Sequence, residues 1–214
     1  MPAKKSGTPA LRTGEGIRRG GAQFEAIHNA LAHGAAQELA DVGYGEFSPE
    51  GVAERVGVSA RTAFRHYETK LALALAGIQS LPTYKGWLDA SHPGQSLADR
   101  LRNGLRTGAD HIELVAYITS AVLSYRETQP ELLKALRRHV LNPRERAIES
   151  FLHEGQRKGV FRTEVDASAL AAADLGVFTM AALGQLHLGR GETRVNRMFQ
   201  TYWPLMATNA HIHD

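Results

Sequence analysis

The sequence predicts an all-α fold, with a small N-terminal three-helix unit ahead of a larger helical domain, and three observations carry that prediction. No stretch sustains an alternation of apolar and polar residues, Ala and Leu outnumber Val and Ile in the apolar segments, and apolar positions recur at helical spacing. With 214 residues, 43% of them hydrophobic, the chain can bury a substantial core as one or two domains. It has no cysteine, which excludes disulfides, thiolate catalysis and Cys-ligated metal. No apolar run approaches the roughly 20 residues of a membrane span. The opening MPAKKSGTPALRTGEGIRRGG has no apolar h-region, so a cytoplasmic protein with no membrane partner is expected.

The elements follow in order. Residues 1–22 hold Lys4, Lys5, Arg12, Arg18 and Arg19 against Glu15 and read as a flexible basic arm. From Phe24 to Val42, Ile27, Leu31, Ala35 and Leu39 recur four apart and lie along one helical face, and Gly43 ends the helix. Ser48-Pro49-Glu50 supplies an N-cap hydroxyl, a proline at the first helical position and a carboxylate near the positive end of the dipole, opening a second helix to about Val56. Gly57 suits a left-handed cap, Ser59 can cap a third helix from Ala60 to Tyr67, and Thr69 or Glu68 opens a fourth.

Residues 23–76 thus form one unit and residues 77–214 a second. Within the second, breaks at Pro82, His92-Pro93-Gly94, Gln129-Pro130, Asn142-Pro143 and residues 188–191 separate expected helices near 95–107, 109–127, 130–141, 143–158, 166–188 and 192–210. The segment DASALAAADLGVFTMAALGQLHL, 166–188, carries few charges; it is either a central core helix or packs against another subunit.

The third helix carries the chemistry. Val52, Ala53, Val56 and Val58 can form the inner face of a two-helix unit, leaving Arg61, Phe64 and Arg65 on one outer side, with Ala60 removing bulk at the tip. Such a helix fits a major groove: Arg can pair with guanine O6 and N7, while hydroxyls and cations grip phosphate on either side. Ser48 and Lys70, at or near helix N-termini, are placed for that grip.

From Leu31 to Leu73 the chain resembles the N-terminal helix-turn-helix DNA-binding domain of TetR-family transcriptional regulators. The matching residues are Gly43-Tyr44, Ser48, Val52-Ala53, Gly57-Val58-Ser59, Thr62, Phe64, His66-Tyr67 and Lys70, in register without a gap. The resemblance implies that Arg61 and Arg65 read bases, that Ala60 allows close approach, and that Ser48, Thr62, His66 and Lys70 contact phosphate, with Ser59 at the same interface. Three positions depart from the family pattern. Phe64 stands where a Tyr is usual and is expected to offer apolar contact to a sugar or a thymine methyl, Ala63 replaces a larger apolar residue, and Tyr67 replaces Phe. Tyr67 is expected in the core, and Arg55 on a solvated face.

One recognition helix covers few base pairs, so useful specificity requires a homodimer on a twofold-related site of double-stranded DNA. The resemblance places the interface on the last two long helices, with Met180, Leu183, Leu186 and Phe199 as candidates. It also implies a pocket for a small-molecule effector in the middle helices, for which Trp87, His111, Tyr117, Tyr125, Phe151 and Phe178 are candidate lining residues. The expected function is a ligand-responsive regulator, most simply a repressor, without cofactor. An enzyme is not expected: despite 10 His, no HExxH, GxSxG or P-loop pattern occurs, and neither His28 with His33 nor His139 with His153 has the partners a metal site needs. The alternative is a dimeric helical scaffold that binds a protein in place of DNA, against which the cationic third helix argues.

Overall fold

Helix α1 (Gly14–Glu46) is the spine of the first half of the molecule. The computed structural model describes residues 14–82, 88, 94–109, 111–182, 187 and 189–212. The helical run begins at Gly14, inside the stretch read as a flexible arm, while residues 1–13 lie outside the described residues. Leu31, Ala35 and Leu39 are fully buried along the predicted face. At Gly43 the backbone leaves helical geometry (φ 71°, ψ 170°), a conformation that costs glycine little because it has no Cβ.

Helices α2 (Pro49–Val56) and α4 (Lys70–Ser80) pack on α1, and α3 (Ala60–His66) packs on α2. Phe47, Val52, Ala53, Ala63, Leu73, Ala74 and Ile78 fill the space between them. Because α4 runs on to Ser80 with Ile78 buried, the boundary expected after residue 76 falls inside a helix.

That core does not stop at α4. Helices α6 (Ile112–Leu123) and α7 (Pro130–Leu136) add Val115, Ile118, Val122, Leu132 and Leu136 to it. A second core lies between α5 (Leu97–Ala109), α8 (Asn142–Arg157), α9 (Ala167–Ala182) and α10 (Gly191–Met206), built on Leu101, Leu105, Phe151, Leu152, Phe161, Met198 and Trp203. No strand occurs among the described residues; a single antiparallel bridge, Phe161 with Ala207, ties the end of α8 to that of α10.

The break expected at Asn142-Pro143 does not form. A π-helical turn, Arg137–Leu141, joins α7 to α8 as one helical run, and the Asn142 amide donates to the Arg137 carbonyl. Proline has no amide hydrogen to donate and its ring crowds the carbonyl four residues back; widening one turn relieves both problems without stopping the helix. Helix α9 reaches Ala182, with residues 183–186 and 188 of the expected helix outside the described residues, and α10 stops at Met206, short of the predicted 210 and two residues after Pro204.

Candidate nucleic-acid interface

The turn between α2 and α3 is built from short-range capping. Ser48 Oγ accepts from the Gly51 amide at 3.0 Å and Pro49 takes the first helical position. Gly57 adopts φ 75°, and the amides of Gly57 and Val58 bond back to Glu54 and Ala53, closing α2 with a left-handed cap. Ser59 Oγ then accepts from the Thr62 amide at 3.1 Å and shares a 2.9 Å hydrogen bond with Thr62 Oγ1, starting α3 immediately. Ala63, fully buried, is the floor of α3; its small size lets the helix sit close on α2.

With Ala63 beneath, Arg61, Phe64 and Arg65 project outward. Phe64 is 42% exposed, an aromatic ring left in solvent on a face that also carries two cations. Neither Arg61 nor Arg65 forms a hydrogen bond or ion pair with a described residue. A thin helix presenting two available guanidinium groups and an apolar ring can read base edges in a major groove.

The C-terminal end of α3 is held differently from expectation. The His66 ring lies 4.1 Å from that of Phe24 on α1, centroid to centroid, and both its ring nitrogens are buried without a hydrogen-bond partner. Burial, then the charges of Arg65 and His28, hold its pKa below the usual imidazole value. His66 thus packs between α3 and α1 with both ring nitrogens covered, whereas the phosphate contact expected of it needs one of them at the surface. Tyr67 is buried as expected, stacking on His28 and donating to the His28 carbonyl at 3.1 Å. Lys70 Nζ sits over the Tyr44 ring and donates to the Gly45 carbonyl at 2.9 Å, so part of its ammonium is engaged in closing the end of α1. Arg55, expected in solvent, bridges Glu38 and Asp41 of α1 at 2.9 and 2.7 Å. Phe24 and the Glu38–Asp41 pair carry no motif of their own; the signal that could have found them is their helical spacing toward α3 and α2.

In the second core, a small pocket of about 30 Å³ opens between α5, α8, α9 and α10, lined by Leu101, Leu105, Ile148, Phe151, Met206, Asp174 and Tyr202 among others. Of the expected lining residues, Phe151 is there. Tyr125 instead packs edge-on against Tyr44, 5.4 Å away, at the junction with the N-terminal helices. Tyr117 is 43% exposed on α6 and His111 is exposed at its start, so neither lines this pocket. Trp87 and the side chain of Phe178 lie outside the described residues. The sequence reading missed Asp174 and Tyr202, and with them Arg144, whose Nε and Nη2 both donate to Asp174 Oδ2 in a buried ion pair. A lone Asp in an otherwise apolar helix was the available clue.

Among the interface candidates, Met180 is exposed on α9. Phe199 is buried within the chain, stacked on Trp203 at 5.4 Å with the Arg102 guanidinium 3.8 Å from its ring centroid. Leu183 and Leu186 lie outside the described residues.

Residues 31–76 match the sequence model of bacterial regulatory proteins of the tetR family, over the helices just described. Among curated proteins, none matches the chain in sequence. Solved structures share its fold over most of their length. A TetR transcriptional regulator from Chloroflexus aurantiacus superposes with a TM-score of 0.65 at 16% identity, covering 87% of this chain and 100% of that one. The fatty acid degradation regulator FadR from Bacillus halodurans gives 0.64 at 18%, covering 82% and 94%. NemR of E. coli gives 0.66 at 12%, covering 86% and 98%. The sequence match falls on the helix-turn-helix whose third helix presents Arg61, Phe64 and Arg65, so residues 31–76 are similar to the DNA-binding domain of the tetR family, and the chain shares the overall fold of the solved regulators.

Proposed function

We propose that the protein is a homodimeric repressor that occupies a palindromic operator and is released from it by a small molecule bound in the second domain. The observation that carries the reading is α3: its inner side is anchored by buried Ala63 and Tyr67, and its outer side offers Arg61 and Arg65 with no intramolecular partner among the described residues. Arg61 and Arg65 read bases, Phe64 packs on sugar or a thymine methyl, Ala60 permits close approach, and the hydroxyls of Ser48, Ser59 and Thr62, with the remaining Lys70 donors, meet phosphate.

Support for a twofold assembly comes from the geometry of DNA, where two recognition helices must lie about 34 Å or a multiple apart. Further support comes from α9, where Ala172, Gly176 and Met180, four apart, are exposed although small or apolar. A second copy docked there would cover them. For the ligand, a molecule that fits only the arrangement unable to hold both half-sites shifts the population away from DNA by its differential affinity. No helix among the described residues is long and apolar enough to cross a membrane, which accords with work on cytoplasmic DNA.

Selection of bound sites from a random duplex library tests the reading. Enrichment of an inverted repeat is expected; enrichment of no sequence, with capture of a protein in its place, would instead favour the helical scaffold.

A further inference from the structure

One aromatic pair joins the turn after α6 to the cation at the start of α4. Tyr125, the second residue beyond α6, sets its ring 5.4 Å from that of Tyr44 and at 69° to it, the near-perpendicular arrangement that aromatic pairs favour. Its hydroxyl stands 2.5 Å from where a Cβ on residue 45 would lie, a space that Gly45 leaves open. Tyr44 is buried, with Phe47 stacked 6.3 Å away, and the Lys70 ammonium lies 4.8 Å from the Tyr44 ring centroid. The same ammonium donates to the Gly45 carbonyl at 2.9 Å. Residues 44 and 45 therefore touch both Tyr125 and Lys70, which are remote from each other in the chain.

Resting on the DNA-binding reading above, we propose that Tyr125 is a positioning residue for the phosphate contact of Lys70: it fixes the Tyr44 ring, which with the Gly45 carbonyl holds the ammonium in place before DNA arrives. Lysine carries a flexible four-carbon stem, and freezing its rotamers when it grips a phosphate is unfavourable. Tyr44 and Gly45 do that freezing in the free protein. The carbonyl takes one of the three ammonium hydrogens, which leaves two for phosphate oxygens. A ring attracts a cation over its face, so the attraction depends on the ring plane, and a neighbour packed nearly perpendicular to it holds that plane. A phosphate carries no sequence, so Tyr125 acts on affinity and salt dependence and leaves base choice alone.

Fluorescence anisotropy of the full chain over a range of salt, on the inverted repeat recovered by duplex selection and on a random duplex of equal length, tests the proposal. Lys70→Gln is expected to weaken binding to both duplexes about tenfold and to lower the salt slope by about 2 per dimer, about 1 for each ammonium. Tyr125→Leu should weaken both about fivefold and lower the slope in the same direction, while Tyr125→Phe, which keeps the ring, should bind as the parent does. In the Lys70→Gln background Tyr125→Leu should cost nothing further, because the two residues act through one ammonium. Should Tyr125→Leu fail to fold, Gly45→Ala serves in the same cycle, since its Cβ pushes the Tyr125 hydroxyl aside and leaves Tyr44 and Lys70 unaltered. Unchanged affinity in Tyr125→Leu, losses that add in the double variant, a loss confined to the inverted repeat, or Tyr125→Phe as weak as Tyr125→Leu would each overturn the positioning role and keep the DNA-binding reading. Tighter binding by Tyr125→Leu would overturn it too, by showing that Tyr44 and Gly45 hold the ammonium away from DNA. Unchanged affinity and slope in Lys70→Gln would remove the phosphate contact and the positioning role together, and a parent protein that bound neither duplex would remove the DNA-binding reading itself.

Discussion

Arg61 is exposed and engaged by no described residue, so its whole donor fork is available to a guanine edge. Arg61→Ala is expected to cost about 1–3 kcal/mol of operator affinity and to relax discrimination at one base pair. Fluorescence anisotropy against the operator and its single-base variants measures both; an unchanged discrimination profile would remove Arg61 from base reading. His66, five residues on, has the opposite surroundings. Its folded pKa lies below the ordinary value of 6.5, so below that pH the unfolded chain binds more protons there than the folded protein does. Stability is therefore intact above the usual imidazole range and falls as the pH drops through it toward the folded pKa. His66→Phe keeps a ring against Phe24 and removes the titration. Its urea midpoint should fall less than the parent's between about pH 7.5 and 5.5, and an equal fall in the two proteins would show that His66 is not the group responsible.

At the scale of elements, the α2–α3 turn depends on Gly57. Its φ of 75° disfavours any Cβ, yet nothing lies within 4 Å of the position a Cβ would take, so substitution there tests backbone strain without a clash. Gly57→Ala is expected to lower the unfolding free energy by about 1–2 kcal/mol in urea titration and, by loosening α3 on α2, to weaken operator binding as well. Full retention of both would mean that the turn does not need the left-handed cap. This turn was legible in the sequence because its causes are local: Ser48, Pro49, Gly57 and Ser59 each act on backbone within a few residues. Pro143 was misread for the complementary reason. Whether a proline stops a helix or widens one turn depends on what the flanking turns pack against, here Leu136, Val140 and Ile148 reaching into the two cores, and no spacing rule carries that information. His66 and Arg55 follow the same logic: their partners, Phe24, Glu38 and Asp41, lie far away along the chain and meet them only when α1 folds across α2 and α3.

For the whole molecule, the division of apolar residues between core and partner surface was the least legible feature, because a helical repeat shows that a face is apolar and not what covers it. Phe199 and Met180 illustrate this: both fit an interface by type, but Phe199 is sealed beneath Arg102 and Trp203 while Met180 stands 44% exposed. That contrast makes Met180 the position at which to test the dimer. Met180→Arg places a charge where the monomer has open surface, so the subunit should keep its urea midpoint and its affinity for an isolated half-site. Two such charges brought together across a twofold interface would be desolvated close to one another, which strongly opposes association. Without the partner, the second half-site is no longer presented at high effective concentration, and affinity for the full palindrome should fall by roughly 10²-fold or more. Light scattering after size exclusion reports the subunit state, and anisotropy on full and half operators reports the loss. A variant that remained dimeric and bound the palindrome as the parent does would move the interface off this face of α9. One that became monomeric yet kept full palindrome affinity would break the link between assembly and recognition on which the repressor reading stands.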